Sequence, residues 1–379
     1  MSTVTIRPVR TNSDVRTFID LLWTIYADTP AWVPPLRMDR RKLMDKRKNP
    51  FYQHADAEFF IAERNGSVVG RIGAIVNHNH NSEHKESAGF FGFFESVNDR
   101  EVSTALFDAA ADFVRSKGAT IFRGPASPSV NDEFGLLVEG FDKTPAILMT
   151  YNHPYYAELI EAYGFRKAKD LFAYKLSQKT VYSEKLERAN EIVKKRYDMV
   201  FRPMNMKRFK EDVERVKAVY NKAWANNWGA VPMTDAEIDA LATDLKPIVV
   251  PDLVIFAERA GETIGFALSV PDIHQALRFN KSGGLLAGLW HLYSKKRHID
   301  TVRIIVLGVL PEHQHTGAAG VLFYETAVRA RKLGYAFGEA SWVLEDNGPM
   351  NRAAVLMNGI VEKRYRLYER PLASTTIQS

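Results

Sequence analysis

Gly308-Val309-Leu310-Pro311-Glu312-His313-Gln314-His315-Thr316-Gly317-Ala318-Ala319-Gly320 is the stretch whose reading decides the fold. The run that enters it, Val302 to Leu310, is largely apolar and reads as a buried strand. The run that leaves it, Val321-Leu322-Phe323-Tyr324 with Ala327, has helical spacing. A loop of small residues therefore joins a strand to a helix N-terminus. Such a loop offers backbone N–H groups and the positive end of a helix dipole to a phosphate. Gly317, Ala318 and Ala319 let an anion come close to the backbone. On its own the stretch also reads as an ordinary strand–loop–helix crossover, because short glycine motifs are weak.

The chain also contains itself twice. Ile6-Arg7-Pro8 returns as Phe201-Arg202-Pro203, and Ala62-Glu63-Arg64-x-Gly66-x-x-x-Gly70 returns as Ala257-Glu258-Arg259-x-Gly261-x-x-x-Gly265, each 195 residues on (202 − 7). Asn152-x-Pro154 and Gly164 return as Asn347-x-Pro349 and Gly359 at the same spacing. Gly92, Leu106, Phe107 and Gly118 instead match Gly308, Leu322, Phe323 and Gly334, 216 residues on (308 − 92). Extra residues thus precede Gly308 in the second copy, and a comparable extra stretch follows Gly124 in the first. A repeat this long is a duplicated domain rather than a solenoid unit. Each copy reads as a strand, a long helix (Val15–Ala27 or Phe209–Trp224), a hairpin at Asn65-Gly66 or Ala260-Gly261, a strand, the loop, a helix closed at Gly118 or Gly334, a strand and a short helix. The charged segment Ser177–Tyr197 reads as a linker helix. The expected class is α/β with a mixed sheet, divided into domains 1–176 and 199–372 around a linker 177–198.

Gln314-x-x-Gly317-x-Ala319 resembles the acyl-CoA pyrophosphate loop of the GNAT acyltransferase superfamily, and the order β-α-β-β-β-α-β-α is similar to the GNAT fold over nearly the whole chain. The resemblance implies acyl-CoA as co-substrate, held by Gly308, Val309, Leu310, Gln314, His315, Thr316, Gly317, Ala318 and Ala319, with Asn351 beside them. The copies are not equivalent. Where the second has Gln314, His315 and Gly317, the first has Asn98, Asp99 and Glu101. A carboxylate at the phosphate position repels CoA, so CoA is expected on the second copy only.

Direct acyl transfer from a thioester to an amine needs donors for the carbonyl oxygen, a base for the amine and an acid for the thiolate. GNAT relatives supply the acid from a Tyr in Asn-x-x-Ala-x-x-Leu-Tyr. Here Asn351 and Ala354 match, but the Tyr position holds Asn358. Tyr365 is the substitute candidate, and Tyr368 reads better as packing. Glu345, at the end of Ser341-Trp342-Val343-Leu344, is the base candidate, with Asp346 or Asn347 read as helix caps. In the extra stretch of the first copy, Asn131, Asp132 and Glu133 are either a second carboxylate site or a solvated turn. His78, His80 and His84 read as a hairpin loop rather than a metal site, and no metal is expected.

Trp224 and Trp228 occupy a region that lines the acyl or acceptor pocket in GNAT enzymes, or else pack in the core. The extra stretch of the second copy includes Leu285–Tyr293, with Leu289 and Trp290, and runs into Lys295-Lys296-Arg297-His298. It reads as a membrane-facing segment, a lid over a long acyl chain, or a packing element. The charge of +6 and pI of about 9.2 favour anionic partners, among them CoA and an anionic membrane surface. No aromatic-interleaved basic motif supports nucleic acid. Without cysteine there is no disulfide framework, and no apolar run approaches the ~20 residues of a membrane span. The expected location is the cytoplasm, with a peripheral place on the inner membrane.

The combination Ala223-Trp224-x-x-Asn227-Trp228-Gly229, Leu307-Gly308-Val309-x-Pro311-Glu312 and Ser341-Trp342-x-Leu344-Glu345-Asp346-Asn347 resembles a bacterial tandem-GNAT family that includes the bacterial ceramide synthases. Those enzymes N-acylate a sphingoid base from a long-chain acyl-CoA. The plan is also similar to that of protein N-myristoyltransferases. Three functions stand: long-chain N-acyltransfer to a lipid-like amine, short-chain N-acetyltransfer to a soluble amine or peptide, and acyl-CoA binding without catalysis.

Overall fold

A computed structural model describes residues 3–372 apart from Ser183 and Asn226. The first copy runs β1 (Thr5–Pro8), α1 (Asn12–Ile25), α2 (Arg37–Met44), β2 (Ala55–Arg64), β3 (Ser67–Asn77), α3 (His78–His84), β4 (Ala88–Ser96), α4 (Arg100–Ser116) and β5 (Ile121–Gly124). The extra stretch forms β6 (Ala126–Ser127), β7 (Glu133–Phe134) and β8 (Leu136–Glu139), before α5 (Tyr156–Ala162) and β9 (Arg166–Ser177). After α6 (Glu184–Arg196) the second copy runs β10 (Met199–Pro203), α7 (Phe209–Trp224), α8 (Asp235–Leu245), β11 (Val254–Arg259) and β12 (Glu262–Pro271). Its extra stretch holds α9 (His274–Leu277) and α10 (Leu285–Ser294). Then come β13 (Thr301–Val309), α11 (Ala318–Lys332), β14 (Phe337–Leu344), α12 (Gly348–Leu356) and β15 (Ile360–Pro371).

The duplication extends to atomic detail. Both hairpins turn on two left-handed residues, Asn65 and Gly66 (φ 52° and 74°) or Ala260 and Gly261 (φ 51° and 83°). This is the primed turn that matches strand twist. Both carry a bulge at the same place, between Ala62 and Glu63 or between Ala257 and Glu258. Both anchor the opening strand with one arginine and two carboxylates. Arg7 bonds Glu63 at 2.8 Å and Asp14 at 2.6 Å, and Arg202 bonds Glu258 and Asp212, each at 2.8 Å.

The compact units cut across this repeat. The first contains the chain up to Asp170, Leu277–Tyr293 and the chain from Arg364 on; the second contains Leu171–Ala276 and Ser294–Lys363. In the first unit the sheet order is β1-β2-β3-β4-β5-β15, parallel only at β4–β5, and Tyr368–Pro371 pair with Gly124–Ile121. In the second the order is β10-β11-β12-β13-β14-β9, parallel only at β13–β14, and Leu171–Ser177 of β9 pair with β14. Each sheet is therefore closed by the last strand of the other copy, and the first unit also takes in α10. The helix α6, read from sequence as a linker, packs within the second unit: Lys194 bonds Glu325 of α11 at 2.6 Å.

The cores explain the helix patterns. On α4, Val102, Leu106, Phe107, Ala110 and Val114 face Phe91, Phe94, Phe122, Phe165 and Tyr156 of the first unit. On α11, Ala318 and Leu322 meet Ala257, Ile264 and Val309, and Phe323 meets Ile304 and Ala340. Each large side chain so buried stabilises its unit by about 1.5–3 kcal/mol.

One expectation is corrected. His78, His80 and His84 lie on the short helix α3, started by the Asn77 side chain accepting from His80 N–H at 3.2 Å, and not in a hairpin loop. His80 is buried, its Nε2 lies 2.6 Å from Glu86, and burial pushes its pKa down to about 4. Among the described residues no group of three or more metal-ligating side chains occurs.

Candidate active site

The site of the second unit starts where two parallel strands part. β13 and β14 pair from Thr301↔Phe337 to Ile304↔Ala340, and the pairing ends there while β13 continues to Val309 and β14 to Leu344. A bulge sits just past the split, because Ser269 faces Ile304 and Leu268 faces Val306, leaving Ile305 extra. Bulges re-aim side chains. Past it, Val306 packs with the α7 cluster, and Val309 packs with α11. Gly308 carries no side chain because Trp224 lies on it: a Cβ there would come 2.2 Å from the indole Cη2. Trp224 also stacks on Tyr220 at 5.0 Å and packs with the α7 cluster over this part of β13. Trp228 sits half-buried in the turn that follows α7.

A buried ionic chain fixes the split. Arg303, 1% exposed, donates from Nε to Ser341 Oγ at 3.0 Å and from Nη2 to Ser341 O at 3.1 Å. Ser341 Oγ donates to Glu339 Oε1 at 2.9 Å, and Lys363 Nζ donates to Glu339 Oε2 at 2.6 Å. Ser341 is the first residue of β14 beyond the paired segment, so this chain sets where the strands diverge. Lys363→Met should cost about 3–5 kcal/mol, since it leaves a buried carboxylate without its cation. Denaturant unfolding measures this, and the double change with Glu339→Gln should recover more than half. Equal losses in the single and double variants would refute a paired role.

The loop follows directly. A short 3-10 helix, Pro311–Thr316, leads to Gly317 in the left-handed region (φ 84°), and α11 starts at Ala318. Gln314 Nε2 donates to Val309 O at 3.3 Å, and Thr316 Oγ1 donates to His313 O at 2.7 Å while accepting from Ala318 N–H at 3.2 Å. The His315 ring meets Tyr197 edge-on at 6.4 Å. Apart from the bond from Ala318 N–H to Thr316, no side chain caps α11. The remaining N–H groups of its first turn are left for a ligand or water.

The first unit treats the matching positions in the opposite way. Asp99 caps α4, accepting from Glu101 N–H at 2.8 Å and Val102 N–H at 3.4 Å. Arg64 bonds Asp99 at 2.7 Å and Glu101 at 2.9 Å, and its hydrogen bond holds the Asp99 carboxyl below the usual range. That helix start already holds an anion of its own. Its strand split is also filled. A Cβ at Gly92 would lie 1.8 Å from Ala126 O, and Phe93 N–H donates to Ser127 Oγ at 2.7 Å. The extra stretch thus plugs the first copy's cleft.

The catalytic candidates fall in different places. Glu345 follows β14 in the second unit, half-buried. Asn347 caps α12, accepting from Met350 N–H at 3.2 Å, so the cap role falls to Asn347. Asn351 grips the strand end: its Nδ2 donates to Leu344 O at 3.0 Å and Glu345 O at 3.2 Å, and Tyr174 OH donates to its Oδ1 at 2.9 Å. Its amide fixes the backbone of Glu345. Asn358 has φ 56° and donates to Thr180 O at 2.8 Å; a left-handed helix end tolerates Asn far better than Tyr. Tyr365 is fully buried in the first unit, opposite Leu137 on β8. Tyr368 packs in the core and donates to Glu161 at 3.0 Å. Glu133 is ion-paired with Arg40, and Ser129 Oγ donates to Asp132 at 2.6 Å while accepting from Asn131 N–H at 3.1 Å. Asn131 and Asp132 thus bond within the local turn, while Glu133, on β7, is tied to α2. Leu289 and Trp290 lie exposed on α10 in the first unit.

A buried polar cluster went unread in the sequence. Glu95, at the end of β4, accepts from Tyr26 OH at 2.6 Å and Tyr156 OH at 2.7 Å, with Arg71 Nη2 at 3.5 Å. Burial raises its pKa and those of both tyrosines. The only signal was a lone carboxylate closing the apolar run Ala88–Phe94.

No protein-family model matches the chain. A solved tandem GNAT protein from the clavulanic acid biosynthesis pathway superposes with a TM-score of 0.55 over 97% of this chain and 98% of its own, at 13% identity, which shows a shared fold. Protein YghO of Escherichia coli strain K12 is 32% identical over 378 residues, 97% of this chain and 95% of that protein. The bacterial ceramide synthase of Caulobacter vibrioides is 35% identical over 376 residues, 96% of this chain and 97% of that protein. Matched over nearly its whole length, this chain belongs to the bacterial ceramide synthase family, acyltransferases built on a tandem GNAT fold.

Proposed function

We propose that the chain transfers a long-chain acyl group from acyl-CoA to the primary amine of a sphingoid base. The similarity to a ceramide synthase over nearly the full length carries this reading. The donor enters the second copy, where the start of α11, capped by no carboxylate, Gly317 and the parted β13 and β14 lie in sequence. Pyrophosphate lies against the N–H groups at Gly317–Ala319. Backbone groups of β13 beyond Ile304 polarise the thioester carbonyl. Glu345 takes a proton from the amine, which attacks the carbonyl carbon; the C–S bond breaks, and the thiolate is protonated as CoA leaves. The acid for the thiolate is water or Tyr365, which is fully buried on β15. An acceptor of this kind resides in a bilayer, so the working enzyme is placed on the cytoplasmic surface of an anionic membrane. The test is CoA release from thioesters of graded chain length against a panel of amines. The rate should rise with chain length and require a sphingoid base; preference for acetyl-CoA with a soluble amine would overturn the reading.

A further inference from the structure

An ordinary surface helix docks its apolar side and shows its polar side. α10 does the reverse. Leu286, Leu289, Trp290 and Tyr293, spaced as one helical stripe, are 82%, 54%, 63% and 71% exposed. What docks is the small residue: a Cβ on Gly288 would lie 2.9 Å from Leu36 Cδ2. The approach to α10 is held firmly within the first unit. Trp23 Nε1 donates to Lys281 O at 2.7 Å, Arg37 Nε to Ser282 O at 2.9 Å, and Arg37 N–H to Gly283 O at 3.0 Å. Gly283, with φ 65°, has Trp23 2.4 Å from where a Cβ would be. The outward stripe is therefore presented on a fixed support.

The support is cationic. α2 and the turn after it, residues 37–48, carry Arg37, Arg40, Arg41, Lys42, Lys46, Arg47 and Lys48 against Asp39 and Asp45, with Arg37 paired to Asp20 and Arg40 to Glu133. Arg41, Arg47 and Lys48 are exposed, as is Met38 between the basic residues. Exposed Arg278 and Lys281 lead into α10. Apolar and aromatic side chains flanked by cations complement an anionic bilayer, where the former enter the acyl boundary and the latter meet the headgroups.

We propose that α10 and α2 together form the face by which the protein lies on an anionic bilayer, which rests on the reading of the acceptor as a bilayer lipid and gives that acceptor its route. The experiment is co-sedimentation of the full chain with vesicles containing about one third phosphatidylglycerol, and with neutral phosphatidylcholine vesicles, across a salt series. The variants are Leu286→Glu/Tyr293→Glu and Arg41→Glu/Lys42→Glu, each first checked for wild-type thermal unfolding. Wild type should bind anionic vesicles in low salt and leave them in high salt. The apolar pair should lose binding at least tenfold, and each removed cation should cost about fivefold. Both variants should keep wild-type turnover on a detergent-dispersed amine and lose it on an amine held in vesicles. Wild type staying in the supernatant, or vesicle binding that both variants leave intact, overturns the proposal. So does a wild-type dimer that the apolar pair converts to monomer, which would make the stripe a self-association face. Failure of the lipid-acceptor reading would show separately, in the amine panel, since sedimentation needs no turnover.

Discussion

Gly317→Glu should reduce CoA affinity at least ~100-fold, measured by isothermal titration calorimetry. Two effects add. Gly317 has φ 84°, and a side chain in that region costs roughly 1–2 kcal/mol. Space is not the obstacle, since a Cβ would meet only Val193, at 3.6 Å. The larger effect is charge. One carboxylate 4 Å from one phosphate charge is worth about 4 kcal/mol of repulsion near a protein surface, and a hundredfold loss needs less than that. The change also recreates the first copy's arrangement, in which Glu101 stands at the matching position with Asp99 capping the helix. Gly317→Asn tolerates the left-handed backbone without the charge and should bind within a few-fold of wild type. Gly317→Gln isolates the strain. Affinity unchanged in the Glu variant would sink the donor site, and Gln as damaging as Glu would remove charge as the reason.

What the sequence made legible was whatever is encoded locally. The hairpin turns and the helix-closing glycines depend on a few neighbouring residues, so both copies announce them. Gly118 and Gly334 do hold the expected left-handed conformation, at φ 86° and 88°. The asymmetry of the two loops was legible for the same reason: Asp99 is a helix cap by residue type, and Gly317 is not. The exchange of closing strands was not legible. β9 and β15 choose partners by register with strands far along the chain, and no residue beside them signals which sheet they join. Buried charge was equally hidden. Arg303, Glu339 and Lys363 are of residue types that are mostly exposed, and their hydrogen bonds, linked through Ser341, make burial tolerable. Asn351 shows an intermediate case: the motif flagged the residue, while the structure shows its amide tied to the carbonyls of Leu344 and Glu345.

That grip on the strand end bears on the remaining prediction. Glu345→Gln should lower turnover ~100-fold or more, the range for a positioned acid–base group. The exchange is nearly isosteric. The Asn351 Nδ2 bond to the backbone carbonyl of residue 345 is untouched by the exchange. Folding and donor affinity should therefore stay near wild type, and the loss should sit in kcat rather than in KM for the acyl-CoA. A base role carries a further signature that a packing role lacks. As pH rises, more of the amine is already unprotonated in solution, so the deficit of the variant should shrink toward alkaline pH. A loss that stays constant with pH would mean that the side chain orders the strand end instead. Unchanged turnover at saturating amine would place the base elsewhere. Asp346, next along the same strand end, would then be the residue to test, ahead of Glu133, which is already engaged in an ion pair with Arg40.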